Sequence, residues 1–115
     1  MNPPVKMMLI FVDETETLGG SRVPLYEGIV EFLLHAGISG ATVHTGIMGF
    51  GANRQMHRKG LFGVTDERPV TITVIEEEAK LRAVLPKLRP MVSEGLVFLV
   101  DGEVLHVGLR GDAGE

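Results

Sequence analysis

Lys6-Met7-Met8-Leu9-Ile10-Phe11-Val12 is the stretch that decides the fold. Strand alternation puts Met7, Leu9 and Phe11 on one face and Met8, Ile10 and Val12 on the other, and both sets are apolar. A strand of that kind sits in the middle of a sheet and is covered on both sides. Leu96 to Val100 repeats the property near the other end of the chain. The chain has 115 residues, the size of one ordinary domain, and a core that buries about two-thirds of the unfolded surface.

The remaining elements fall between these two strands. Asp13 to Ser21, with Gly19-Gly20, is a loop. Pro24 suits the first turn of a helix whose stripe is Leu25, Ile29, Phe32, Leu33 and Ala36, with Gly37 ending it. Ala41 to Met48 reads as a second strand, and residues 49–68 carry no sustained period and form a long loop. Val70 to Ile75, rich in β-branched residues, is a third strand. Glu76-Glu77-Glu78 then open a helix, where acidic side chains suit the positive end of the dipole. Its stripe is Leu81, Val84, Leu85 and Leu88; Pro86 is expected to kink or split it, and Gly95 to stop it. Leu96 to Val100 is the fourth strand. Asp101-Gly102 is expected to turn the chain into a short fifth strand, Glu103 to Val107, before a polar tail. The order is the α+β, ferredoxin-like β-α-β-β-α-β pattern with an extra C-terminal hairpin strand, a single domain over 1–115 with 1–5 and 108–115 flexible.

Two helices cover one face of a four-stranded sheet. The second apolar face therefore needs another cover, and the short chain has nothing left to supply it. A homo-oligomer, small and cyclic, is expected.

Composition narrows the function. Apolar residues are 44% and charged residues 23%, as in soluble globular chains rather than disordered ones. The longest apolar run, Met7 to Val12, is far short of a membrane span, and no signal peptide is read, so a cytoplasmic location is expected. Without cysteine there is no disulfide, no thiolate nucleophile and no Cys-ligated metal. A net charge of −4, no Trp and a single Tyr argue against nucleic-acid binding.

Glycine is the outlier, at 15 residues about twice average usage. In Thr45-Gly46-Ile47-Met48-Gly49-Phe50-Gly51-Ala52-Asn53-Arg54-Gln55-Met56-His57-Arg58-Lys59-Gly60, three glycines at a strand end permit close backbone approach, and Arg54, Arg58 and Lys59 follow. Exposed N–H groups beside cations suit a phosphate, although a plain glycine-rich turn with solvated cations has the same composition. The spacing matches neither the Walker nor the dinucleotide fingerprint.

Pro24-Leu25-Tyr26-Glu27-Gly28-Ile29-Val30, Gly40-Ala41-Thr42-Val43, Gly46-Ile47-Met48-Gly49-Phe50-Gly51, His57, Pro69-Val70 and Glu94-Gly95-Leu96-Val97, in that order, resemble the PII-like signalling proteins of unknown function. The resemblance spans about residues 6 to 106. It implies a non-enzymatic PII-like trimer that binds AMP, ADP or ATP in clefts between subunits and signals through the loop at 49–68. A membrane transporter or channel is the kind of partner PII proteins engage through that loop. Gly49-Phe50-Gly51 resembles the Gly-Phe-Gly before the signalling loop of PII proteins, with Ala52-Asn53 inserted before Arg54-Gln55. The glycine-rich, lysine-bearing loop of PII proteins is replaced here by Arg89-Pro90-Met91-Val92-Ser93-Glu94-Gly95, which favours a mono- or diphosphate over a triphosphate. The ligand residues thus implied are Gly46, Gly49, Phe50, Gly51, Arg54, His57, Arg58 and Gly95.

Other readings remain open. A small enzyme on the same fold would use His57 or Asp13 as general base, and a copper or zinc site would draw on His44, His57 and His106. A ligand-independent interaction module would dock its loop on the transporter or channel. No catalytic constellation and no obligatory cofactor is legible.

Overall fold

A computed structural model describes residues 3–50 and 68–108 in full, and 56–58 as backbone. Its elements run β1 (Val5–Asp13), α1 (Leu25–His35), β2 (Thr42–Thr45), β3 (Met48–Phe50), β4 (Met56–Arg58), β5 (Pro69–Glu77), α2 (Glu78–Met91) and β6 (Leu96–Gly102). Four strands form one antiparallel sheet in the order β2-β5-β1-β6, and β3 pairs with β4 in a separate ribbon. This is the ferredoxin-like arrangement read from the sequence, with β1 central.

The two faces of the sheet differ. Met8, Ile10 and Val12 of β1 and Val70, Ile72 and Val74 of β5 are buried against Leu25, Ile29 and Leu33 of α1 and Leu81, Val84 and Leu88 of α2. Burying side chains of this size contributes about 1.5–3 kcal/mol each, so this layer is the core. The opposite face carries Met7, Leu9 and Phe11, in register with Ile75, Thr73 and Thr71 of β5 and with Val100, Phe98 and Leu96 of β6. Among the described residues nothing covers it: Leu96 is 57% exposed, Phe98 50% and Ile75 53%.

Several boundaries move. The second strand stops at Thr45, not Met48. Its partner reaches Pro69, which has no N–H to continue the ladder, and the chain crosses over the ring before β3 begins. The segment 49–68, read as one long loop, therefore opens with a ribbon: Met48, Gly49 and Phe50 pair with Arg58, His57 and Met56.

Glu76 and Glu77 do not open the second helix; they end β5 opposite Lys6 and Val5. Glu76 is 7% exposed, its carboxylate accepting from Ser39 N–H at 2.8 Å, Ser39 Oγ at 2.9 Å and Glu77 N–H at 3.1 Å. Long-range bonds thus outweigh the local dipole preference. Pro86 does not split α2, which runs unbroken through Pro86 and Pro90. Both prolines are exposed, where water can take the carbonyls they leave unbonded.

Helix α2 ends at Met91, before Gly95. Gly37, at φ +87°, follows α1 in the left-handed conformation that glycine favours. Pro24 stands one residue ahead of its expected place, as N-cap, and Ala36 lies exposed beyond the last turn. Asp101 and Gly102 make no hairpin turn. They are the last pairs of β6, where Asp101 meets Lys6 in register and by an ion pair. The expected extra strand at 103–107 is absent: the segment leaves the sheet with no strand partner among the described residues and Leu105 85% exposed.

Candidate functional site

The end of the sheet where β1 and β2 finish and β5 and β6 begin gathers the informative residues. At the β2–β5 edge, Gly46 N–H donates to Pro69 C=O at 2.7 Å. A Cβ on Gly46 would stand 2.8 Å from Pro69 Cγ, and one on Gly49 3.3 Å away. The bare backbone of both glycines therefore lies on the proline ring, and a larger residue would lift the chain off it. Beyond that platform Ile47 and Phe50 are 82% and 70% exposed.

The strand returning to Pro69 is tied down by a second contact. Arg68 Nε and Nη2 donate to Glu14 Oε1 and Oε2 at 3.3 and 3.2 Å, and Glu14 N–H donates to Arg68 C=O at 2.9 Å. Both side chains are about one-third exposed or less. Glu14 opens a segment that is itself folded: Glu16 Oε1 accepts from Asp13 N–H, and Leu18 and Val23 close a turn over the left-handed Gly19-Gly20. Leu18 packs on Gly28 of α1.

At the β6 edge Gly95 lies so close to β1 that a Cβ would fall 1.8 Å from Phe11 C=O. It borders an open hollow of about 610 Å³ with Pro86, Arg89, Pro90, Val92 and Val97. The loop root and this hollow share one end of the sheet but lie on its opposite edges, three strand spacings or about 14 Å apart. A second hollow, of about 650 Å³, lies at the other end between Val5, Ile75, Glu76 and the segment from Glu103 to Val107.

Of the expected ligand residues, Gly46, Gly49 and Phe50 are grouped at the loop root, with the backbone of His57 opposite Gly49 and that of Arg58 opposite Met48. Gly95 stands at the other edge. Gly51 and Arg54, and the side chains of His57 and Arg58, lie outside the described residues. His44 is exposed on β2 near the loop root, whereas His106 follows the far end of β6. Among the described residues no three His, Asp or Glu groups are placed to hold a metal ion. Asp13 ends β1 with its N–H bonded to Glu16.

Sequence reading missed the Glu14–Arg68 pair. The partners are 54 positions apart, and no local period joins them. The available signal was an arginine directly before the proline that closes the loop.

The DUF190 family (Uncharacterized ACR, COG1993) matches residues 5–104. The chain belongs to that family. Its DUF190 relatives include a UPF0166 protein of Aquifex aeolicus, 31% identical over 102 residues that cover 89% of this chain and 94% of that one. Another, from Methanocaldococcus jannaschii, is 33% identical over 100 residues, covering 86% and 90%. Among solved structures, this DUF190 chain resembles CPII, a nitrogen regulatory PII-like protein from Thiomonas intermedia K12, bound to ADP, AMP and bicarbonate. The TM-score is 0.66 at 22% identity over 88% of each chain. Its apo form aligns with TM-score 0.56 at 23% identity, covering 88% of this chain and 91% of that one. The fold is thus PII-like. No helix among the described residues is long and apolar enough to cross a membrane.

Proposed function

We propose that the protein is a non-enzymatic PII-like signalling protein that binds an adenine nucleotide between the subunits of a homotrimer and signals through the loop at 49–68. The observation that carries this reading is the division of the site. Gly46, Gly49 and Phe50 stand at one edge of the sheet, Gly95 and Arg89 at the other, and the apolar face between them is open. In the proposed ring, the two edges of the site would be contributed by neighbouring subunits, one subunit's loop root meeting the next subunit's Gly95 edge. The ADP and AMP held by the CPII neighbour support the same ligand class. A mono- or diphosphate is favoured, because Gly95 is one glycine beside Glu94 rather than a glycine- and lysine-rich loop.

Titration calorimetry with AMP, ADP, ATP and cyclic AMP at one fixed salt concentration tests the reading. Micromolar binding to one nucleotide, weakened in Gly51→Val and Arg54→Ala, is expected. A ligand that acts on the loop must favour one of its states, so saturating nucleotide is expected to change the rate of tryptic cleavage within 49–68. Silence across the panel refutes the reading. The exposure of Ile47 and Phe50 at the loop root then favours the alternative of a ligand-independent module that docks on a membrane transporter or channel. A partner captured from membrane extract, equally with and without nucleotide, is what that alternative predicts.

A further inference from the structure

We infer that Arg68 is a phosphate-binding cation of the loop root and that Glu14 is the positioning residue that aims it. This assignment rests on the nucleotide reading above. Among the described residues the outgoing root brings no charge to a phosphate: Gly46 and Gly49 pack on the Pro69 ring, and the Gly46 N–H is taken by Pro69 C=O. Arg68 is the residue before that proline, so the platform and a guanidinium are joined by one peptide bond.

The position of the guanidinium is set from outside the loop. Glu14 holds Nε and Nη2 at 3.3 and 3.2 Å, and its own backbone N–H is bonded to Arg68 C=O at 2.9 Å. Two of the five guanidinium N–H groups serve this fork, and the side chain keeps 27% of its surface exposed. An ion pair as open as this one contributes little to stability. Its effect is instead to order a long side chain in advance, so that binding an anion costs less entropy. A fork anchored along one edge suits the bidentate recognition of phosphate, which lysine cannot reproduce.

The test is calorimetry on the full chain with ADP, adenosine and inorganic pyrophosphate, using wild type, Arg68→Gln, Arg68→Lys and Glu14→Gln. Arg68→Gln is expected to weaken ADP by about 10- to 100-fold while adenosine is unchanged, as befits loss of a charged hydrogen-bond partner. Arg68→Lys is expected to fall between, and Glu14→Gln to lose less than tenfold, since the guanidinium remains but is less ordered. Equal losses for ADP and adenosine, or no loss in Arg68→Gln, overturn the assignment. If wild type binds pyrophosphate but no nucleotide, and Arg68→Gln abolishes it, the nucleotide reading fails and the anion site stands. Binding of neither removes both. Urea midpoints of the variants confirm folding, and Arg68→Lys against Glu14→Gln decides if Arg68→Gln does not fold.

Discussion

Replacing Gly95 with alanine tests the closest approach in the molecule. The new Cβ would lie 1.8 Å from Phe11 C=O, and 3.0 Å from the Phe11 carbonyl carbon and from Val92 Cγ1. Cβ contacts under 3.0 Å are essentially unknown, so the backbone must part by well over an ångström. Phe11 belongs to the central strand, held by β5 on one side and β6 on the other, and cannot give way. The displacement therefore falls on the start of β6 and opens the Phe11–Leu96 pair. Overpacking costs about 1–3 kcal/mol, here at the upper end because the clash is with backbone. A lost ladder bond adds about 1 kcal/mol, and the reduced entropy of the unfolded alanine chain returns up to about 1 kcal/mol. The net expectation is about 2–4 kcal/mol, a large part of the stability of a typical domain. With a urea dependence of about 1–3 kcal/mol/M, the midpoint should drop by about 0.7–4 M at fixed protein concentration. Gly28→Ala is the control. Its Cβ would meet Leu18 Cδ2 at 2.8 Å, the free end of a flexible side chain, and alanine favours the helix, so a change under about 1 kcal/mol is expected. Equal midpoints for Gly95→Ala and wild type would refute the argument.

Phe98→Glu, on the open sheet face along the edge strand β6, is expected to convert an assembly to monomer by multi-angle light scattering, with helical content retained; a monomeric wild type contradicts the ring. Burial raises the Glu76 carboxyl, but the bonds from Ser39 and Glu77, with Lys80 nearby, outweigh it and hold it below its ordinary value of 4.5. Its contribution is therefore present above about pH 4.5 and lost as pH falls through the lowered native value. Glu76→Gln should cost about 1–3 kcal/mol at pH 7 and flatten the loss of stability below pH 4.5; identical acid limbs in urea titrations would be inconsistent with this. Gly46→Ala and Pro69→Ala should be non-additive in nucleotide affinity and stability, because removing the ring makes room for the new methyl. A strictly additive cycle would mean that the platform is not formed by this contact.

The fold was largely legible because its signals are local. Apolar alternation in β1, the stripes of α1 and α2, and Gly37 as a helix stop each follow from residues within a few positions of one another. The open apolar face was legible too, from strands too apolar for two helices to cover. The errors lie where a distant partner overrules a local preference. Three successive glutamates favour a helix start, yet Ser39, 37 positions away, holds Glu76 in the sheet. Asp101-Gly102 has the composition of a hairpin turn, yet Lys6 and Val5 keep both residues in β6. The candidate site divides in the same way. Its glycines were readable by type, since they alone permit close backbone approach. That Gly46 and Gly49 rest on Pro69, that Glu14 aims Arg68, and that Gly95 stands at the opposite edge were decided by tertiary structure. Each depends on strands brought side by side from positions tens of residues apart, and no period along the chain records that pairing.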